Sequence, residues 1–171
     1  MDVPLARPIP SLIPSLALAA AAPIALGGIV ALRFGVISPV VMVPAITFGV
    51  VGVTSPALYI ATAASGDAPT LSQMARAMTV ALAAFGVALA GLILPAAFLS
   101  LSSLEGGTTI IIASVALAGA ALLGLVRLAI ELGAQRKTMT LMRPAVFAAW
   151  AVATLGIAAR LWVGFAQGVA S

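Results

Sequence analysis

Arg127 and Glu131 have the clearest spacing for chemistry in this chain. They are four residues apart, so a helix would place both side chains on one face, within reach of each other. A charged pair deep in a membrane segment is typical of an ion or proton path, whereas a pair at a helix end is an interfacial ion pair. We favour the interfacial pair, because both residues lie near the end of an apolar segment.

The residue types that most enzymes depend on are missing. The chain has no cysteine and no histidine, which removes thiolate nucleophiles, disulfides and the commonest general base and metal ligand. No apolar segment contains an aspartate, and the single lysine lies in a polar stretch. The sequence therefore predicts no catalytic residue, no cofactor and no metal, and we expect a protein that is not an enzyme.

Composition indicates the surroundings of the chain. Of its 171 residues, 63% are hydrophobic and only 7% are charged, and its mean hydropathy is +1.27. A soluble domain has about 25% charged residues, so lipid must cover much of this surface. The apolar runs are continuous over about twenty residues, without the alternation of a barrel strand, which favours transmembrane helices.

Short polar stretches divide the chain into five predicted spans. They cover about residues 11–32, 39–64, 74–101, 109–132 and 144–166. Each has about the twenty residues that cross a hydrocarbon core of about 30 Å. We expect an all-α polytopic bundle that forms a single membrane domain over residues 1–171.

Basic residues predict the orientation. Six of the eight lie on the side of the N-terminus, and Arg33 and Arg160 lie on the other. The six are Arg7, Arg76, Arg127, Arg136, Lys137 and Arg143. Because positive charge marks the cytoplasmic side, we expect the N-terminus inside and the C-terminus outside. Arg127, Glu131, Arg136, Lys137 and Arg143 would then form a charged cytoplasmic interface.

Prolines interrupt the first three spans. Pro23, Pro44, Pro56 and Pro95 each remove a helical hydrogen bond, so several of these spans are predicted to be kinked. Kinked helices either shape a small bundle or line a path for a solute at mid-membrane. We favour the bundle, because no buried ionisable residue accompanies the prolines.

The second span allows a sharper prediction. Pro56 frees the carbonyl of Gly52, and Thr54 and Ser55 are nearby donors. We expect a bend at Pro56, with these hydroxyls facing protein. Gly49 and Gly52 should lie at a close contact with the third span.

Small residues at spacings of four indicate where helices approach each other. Such spacing lets backbones come close, first within the chain and second between chains. The predicted helix-packing residues are Gly49, Gly52, Pro56, Gly86, Ala90, Ala116, Ala120 and Gly124.

Residues 38–98 also contain a recognisable hairpin. It begins with a proline-interrupted span and a turn that contains glycine. A helix start with serine and arginine follows, and the third span has a proline near its far end. These features are Pro44, Pro56, Gly66, Ser72, Arg76 and Pro95. In this hairpin and in its five-span layout, the chain resembles the Yip1-type membrane proteins, in particular small bacterial relatives. The resemblance implies a membrane-organising or partner-binding protein without catalytic activity, and it supplies no site residues.

The expectation is therefore a non-catalytic protein of a bacterial inner membrane that acts through helix–helix and lipid contacts. It would be a subunit or accessory of a larger membrane assembly, with lipid and other membrane subunits or a second copy as partners, and no nucleic acid. The alternative is a small channel or transporter subunit whose path is lined by the second and third spans. A polar cavity near Pro56 and Pro95 would favour that alternative.

Overall fold

The computed structural model describes residues 12–64, 69–103, 105–134 and 142–170. These residues form helices and no strands. The helices are α1 (Leu12–Phe34), α2 (Ser38–Ala64), α3 (Leu71–Ser102), α4 (Gly106–Ala134) and α5 (Met142–Ala170). All five are long and apolar enough to cross a membrane, so the predicted all-α architecture with five spans is confirmed.

Local signals explain where two of the helices begin or end. α1 stops before Gly35, whose φ of +69° lies in the left-handed region that glycine adopts without strain. α3 begins at Leu71, earlier than expected, because Thr70 and Gln73 form a capping box. The Thr70 hydroxyl accepts from the Gln73 N–H at 3.2 Å, and the Gln73 side chain accepts from the Thr70 N–H at 2.9 Å.

The helices form a ring in which α5 is the least supported. α3 packs extensively against α1 and α4, α1 also packs against α2, and α2 packs against α5. α4 and α5 close the ring with a slight contact. In the most apolar window of α5, 6% of the residues are buried, compared with 17–39% in the other helices.

The core consists of two apolar clusters. The larger joins α1, α2, α3 and α4 around Leu26, Val30, Val43, Leu89 and Ala120. The second joins α2, α3 and α4, and its members are Leu58, Met74, Ala77, Ala81, Leu128 and Leu132. The ring is therefore well packed on the side of α1 and open on the side of α5.

The predicted contact of α2 with α3 through Gly49 and Gly52 is wrong. Both glycines are exposed, and a Cβ added to either would meet no atom within 4 Å. Pro56 is exposed as well. α2 instead turns Val43, Val50 and other residues of the opposite face towards its neighbours. The error has a physical reason: α2 is apolar all round, so its composition does not mark which face is buried.

The hydroxyls beside Pro56 face the protein interior in part, but they do not bond to the carbonyl of Gly52. Thr54 is buried and Ser55 is half-buried. Their hydroxyls donate to the carbonyls of Val50 and Val51, not to that of Gly52. α2 continues through its prolines as one helix of 27 residues, and the bend at Pro56 stays a prediction.

Three other glycines lie where helix backbones come closest. A Cβ at Gly27 in α1 would clash with the backbone of Pro39 in α2, and one at Gly86 in α3 would clash with the backbone of Ala19 in α1. A Cβ at Gly124 would lie 3.2 Å from the Cβ of Phe85. Only glycine allows the first two approaches. Of the other predicted packing residues, Ala116 and Ala120 are buried and Ala90 is half-buried.

Candidate functional site

A cavity of about 330 Å³ lies between α2, α3, α4 and α5. Its walls are mostly apolar, and they include Ile46, Val50, Leu82, Phe85, Leu125 and Leu155. It exists because α5 packs against α2 but makes little contact with α3 and α4. Pockets that bind small molecules have about this size and are lined mainly by apolar and aromatic side chains.

Two tryptophans of α5 form part of the cavity wall and tie α5 to the bundle. The indole N–H of Trp150 donates to the Thr54 carbonyl of α2 at 2.8 Å. The indole N–H of Trp162 donates to the Ser114 hydroxyl of α4 at 2.7 Å. Because an indole donor inside a membrane needs a partner, each bond favours this orientation of α5.

The cavity's hydroxyl groups are mostly satisfied within their own helices. Thr47 donates to the Val43 carbonyl at 2.9 Å, and Ser114 donates to the Ile110 carbonyl at 2.7 Å. Thr154 is 8% exposed, and its hydroxyl has no partner among the described residues. An occupant of the cavity would therefore find almost no unpaired hydrogen-bonding group in its wall.

Charge is absent from the described residues that line the cavity. Arg127 and Glu131 form the ion pair that their spacing predicts, with 2.7 Å between Nη2 and Oε1, but neither residue lines the cavity. Arg136 and Lys137 lie outside the described residues, and so does the side chain of Arg143. Pro56 and Pro95 are not part of the cavity wall.

Gly27, which lies outside the cavity wall, was not among the predicted packing residues, although its contact with Pro39 sets how closely α1 and α2 approach. The hydrogen-bond partners of Trp150 and Trp162, which do line the cavity, were not predicted either. One signal was present: both tryptophans lie inside an apolar span, where an indole donor must find a partner.

The five apolar helices make this chain an integral membrane protein. Comparisons with protein-family models, with curated proteins and with solved structures found no match. The resemblance to Yip1-type proteins stays a prediction.

Proposed function

We propose that the protein is non-catalytic and works through contacts with lipid and with other membrane helices, as a subunit or accessory of a larger assembly. The observation that supports this is the exposure of α5, whose most apolar window has 6% of its residues buried. A helix gains no hydrophobic stabilisation by leaving lipid for protein, so its position depends on close packing and hydrogen bonds. Within the described residues, α5 packs mainly against α2, touches the core clusters with its aromatic side chains and Val169, and makes two indole bonds.

The outward face of α5 fits a neighbouring helix. Ala149, Ala153 and Gly156 lie on one side of it, and all three are exposed. Small residues let a second backbone approach closely, which strengthens van der Waals contact. Lipid chains gain nothing comparable from such a surface. This face therefore favours a protein neighbour, either another subunit or a second copy.

The channel alternative has less support. A path for ions or polar solutes is lined by polar or charged groups that replace water. The cavity between α2, α3, α4 and α5 is mostly apolar, and the described residues that line it carry no charge. We extend the proposal to a bacterial inner membrane with the N-terminus in the cytoplasm, on the strength of the basic residues and the resemblance.

Site-specific photo-crosslinking tests the proposal. A photo-reactive phenylalanine analogue at Ala153 is compared with the same analogue at Leu94, which is 79% exposed on α3. Irradiation of native membranes should give a discrete protein adduct from position 153 and lipid adducts alone from position 94. An adduct of twice the chain mass would identify a second copy. Lipid adducts alone from both positions would contradict the proposal.

A further inference from the structure

We propose that the cavity between α2, α3, α4 and α5 binds one acyl chain of a membrane phospholipid. This inference does not depend on the partner contacts proposed above, because it concerns the inner face of α5 rather than its outer face.

The shape of the cavity fits a chain. Its wall extends along α4 from Ser114 to Leu128 and along α5 from Trp150 to Trp162. At 1.5 Å per residue these stretches rise about 21 Å and about 18 Å. The lining residues therefore extend along the helices, in the direction that the acyl chains of a bilayer take.

The polarity of the wall favours a hydrocarbon chain over water. A buried water needs two to four polar partners, but the Thr154 hydroxyl is the single unmet group among the described lining residues. A free fatty acid offers the same hydrocarbon to these uncharged walls, but phospholipid is the main source of acyl chains in a bilayer. A phospholipid can leave its head group at the membrane surface and insert the hydrocarbon alone.

Access from the bilayer follows from the packing of the ring. α4 and α5 touch only slightly, so the seam between them is the weakest wall of the cavity. Lipid surrounds that seam in the membrane and supplies chains at very high local concentration. Filling the cavity restores the van der Waals contacts that its lining side chains otherwise lack.

The two tryptophans report on occupancy directly. Trp150 and Trp162 are the only tryptophans in the chain, and both line the cavity. The full-length protein is placed in mixed micelles with increasing amounts of phosphatidylcholine that carries a brominated acyl chain, which quenches indole fluorescence on contact. We expect quenching that saturates at a low mole fraction of this lipid, because a site fills before the surrounding lipid shell is exchanged.

Cavity-filling substitutions distinguish quenching by lipid bound in the cavity from quenching by lipid in the surrounding shell. Ala121→Phe and Ala158→Leu each put bulk into the cavity from a different helix, and Leu122→Phe adds a similar ring on the exposed face of α4. The saturable quenching should fall by about half or more in either cavity variant, because the added side chain takes the place of the ligand, and it should persist in the control. Brominated stearic acid is run in parallel, to separate a phospholipid chain from a free fatty acid as the occupant.

Three results would overturn the proposal. The first is quenching that rises in proportion to the brominated lipid and is equal in all variants. The second is saturable quenching by the free fatty acid alone. The third is a tryptophan signal that changes with protein dilution and not with lipid, because a second copy would then fill the cavity.

Discussion

The close approach of α1 and α2 can be tested with two adjacent glycines. Gly27 faces α2, and an added Cβ would lie 2.8 Å from the carbonyl carbon of Pro39 and 3.0 Å from the Cα of Val40. Gly28 is its neighbour in α1, and a Cβ there would meet no atom within 4 Å. Since the atoms opposite Gly27 belong to the backbone, no side chain can rotate away, and the helices themselves must separate.

The expected magnitude follows from comparing Gly27→Ala with Gly28→Ala. Both replacements gain the same helix propensity, about 0.5–1 kcal/mol, so this term cancels in the comparison. What remains is the overpacking at Gly27, about 1–3 kcal/mol. The unfolding equilibrium constants of the two variants should differ by about fivefold to about 150-fold, with Gly27→Ala the less stable.

Reversible unfolding in mixed micelles of a mild detergent and dodecyl sulfate, followed by tryptophan fluorescence, measures this difference. Gly86→Ala and Gly91→Ala repeat the comparison in α3, because a Cβ at Gly86 would clash with the α1 backbone while one at Gly91 has open space. Equal stability of Gly27→Ala and Gly28→Ala would refute the close contact between α1 and α2.

Three further changes have definite expected outcomes. Trp150→Phe should destabilise the protein by about 0.5–1.5 kcal/mol, because the bond to the Thr54 carbonyl is lost; an unchanged unfolding midpoint would contradict that bond. Glu131→Gln should change stability by no more than about 0.5 kcal/mol, and less at high salt, since its pair with Arg127 is partly exposed; a larger effect that salt does not alter would refute this. A Lys137→Cys variant should resist an impermeant thiol reagent in intact cells and react after lysis, because six of eight basic residues then lie inside; labelling in intact cells would reverse the topology.

The class of fold was predictable because it depends on composition. The apolar runs are continuous over about twenty residues and are separated by polar breaks. In lipid, segments of this length and pattern form transmembrane helices. The helix bounds differ from the predicted spans by up to four residues; at the start of α3 the reason is the capping box of Thr70 and Gln73.

The contacts between helices were not predictable in the same way. In water, one apolar stripe marks the buried face of a helix, but lipid is as apolar as the core and no such stripe is needed. Gly52 and Gly86 look alike in the sequence, yet one is exposed and the other touches α1. The difference lies in which residues oppose them, and a single sequence does not contain that information.

The cavity could not be predicted from the sequence, for a related reason. It arises from an imperfect fit between four helices, and its lining residues are ordinary apolar side chains. The tryptophans offered a partial hint, because each indole donor required a partner. The acceptors, the Thr54 carbonyl and the Ser114 hydroxyl, belong to two other helices and could not be chosen in advance.

Native mass spectrometry, after extraction of the membrane directly into nanodiscs, tests whether the protein belongs to a larger assembly. We expect the chain to leave the membrane with a discrete protein partner or further copies of itself, and the isolated chain to give no solute flux in liposomes. A chain that is strictly monomeric and free of partners, while it transports a solute after reconstitution, would refute a role as a non-catalytic subunit.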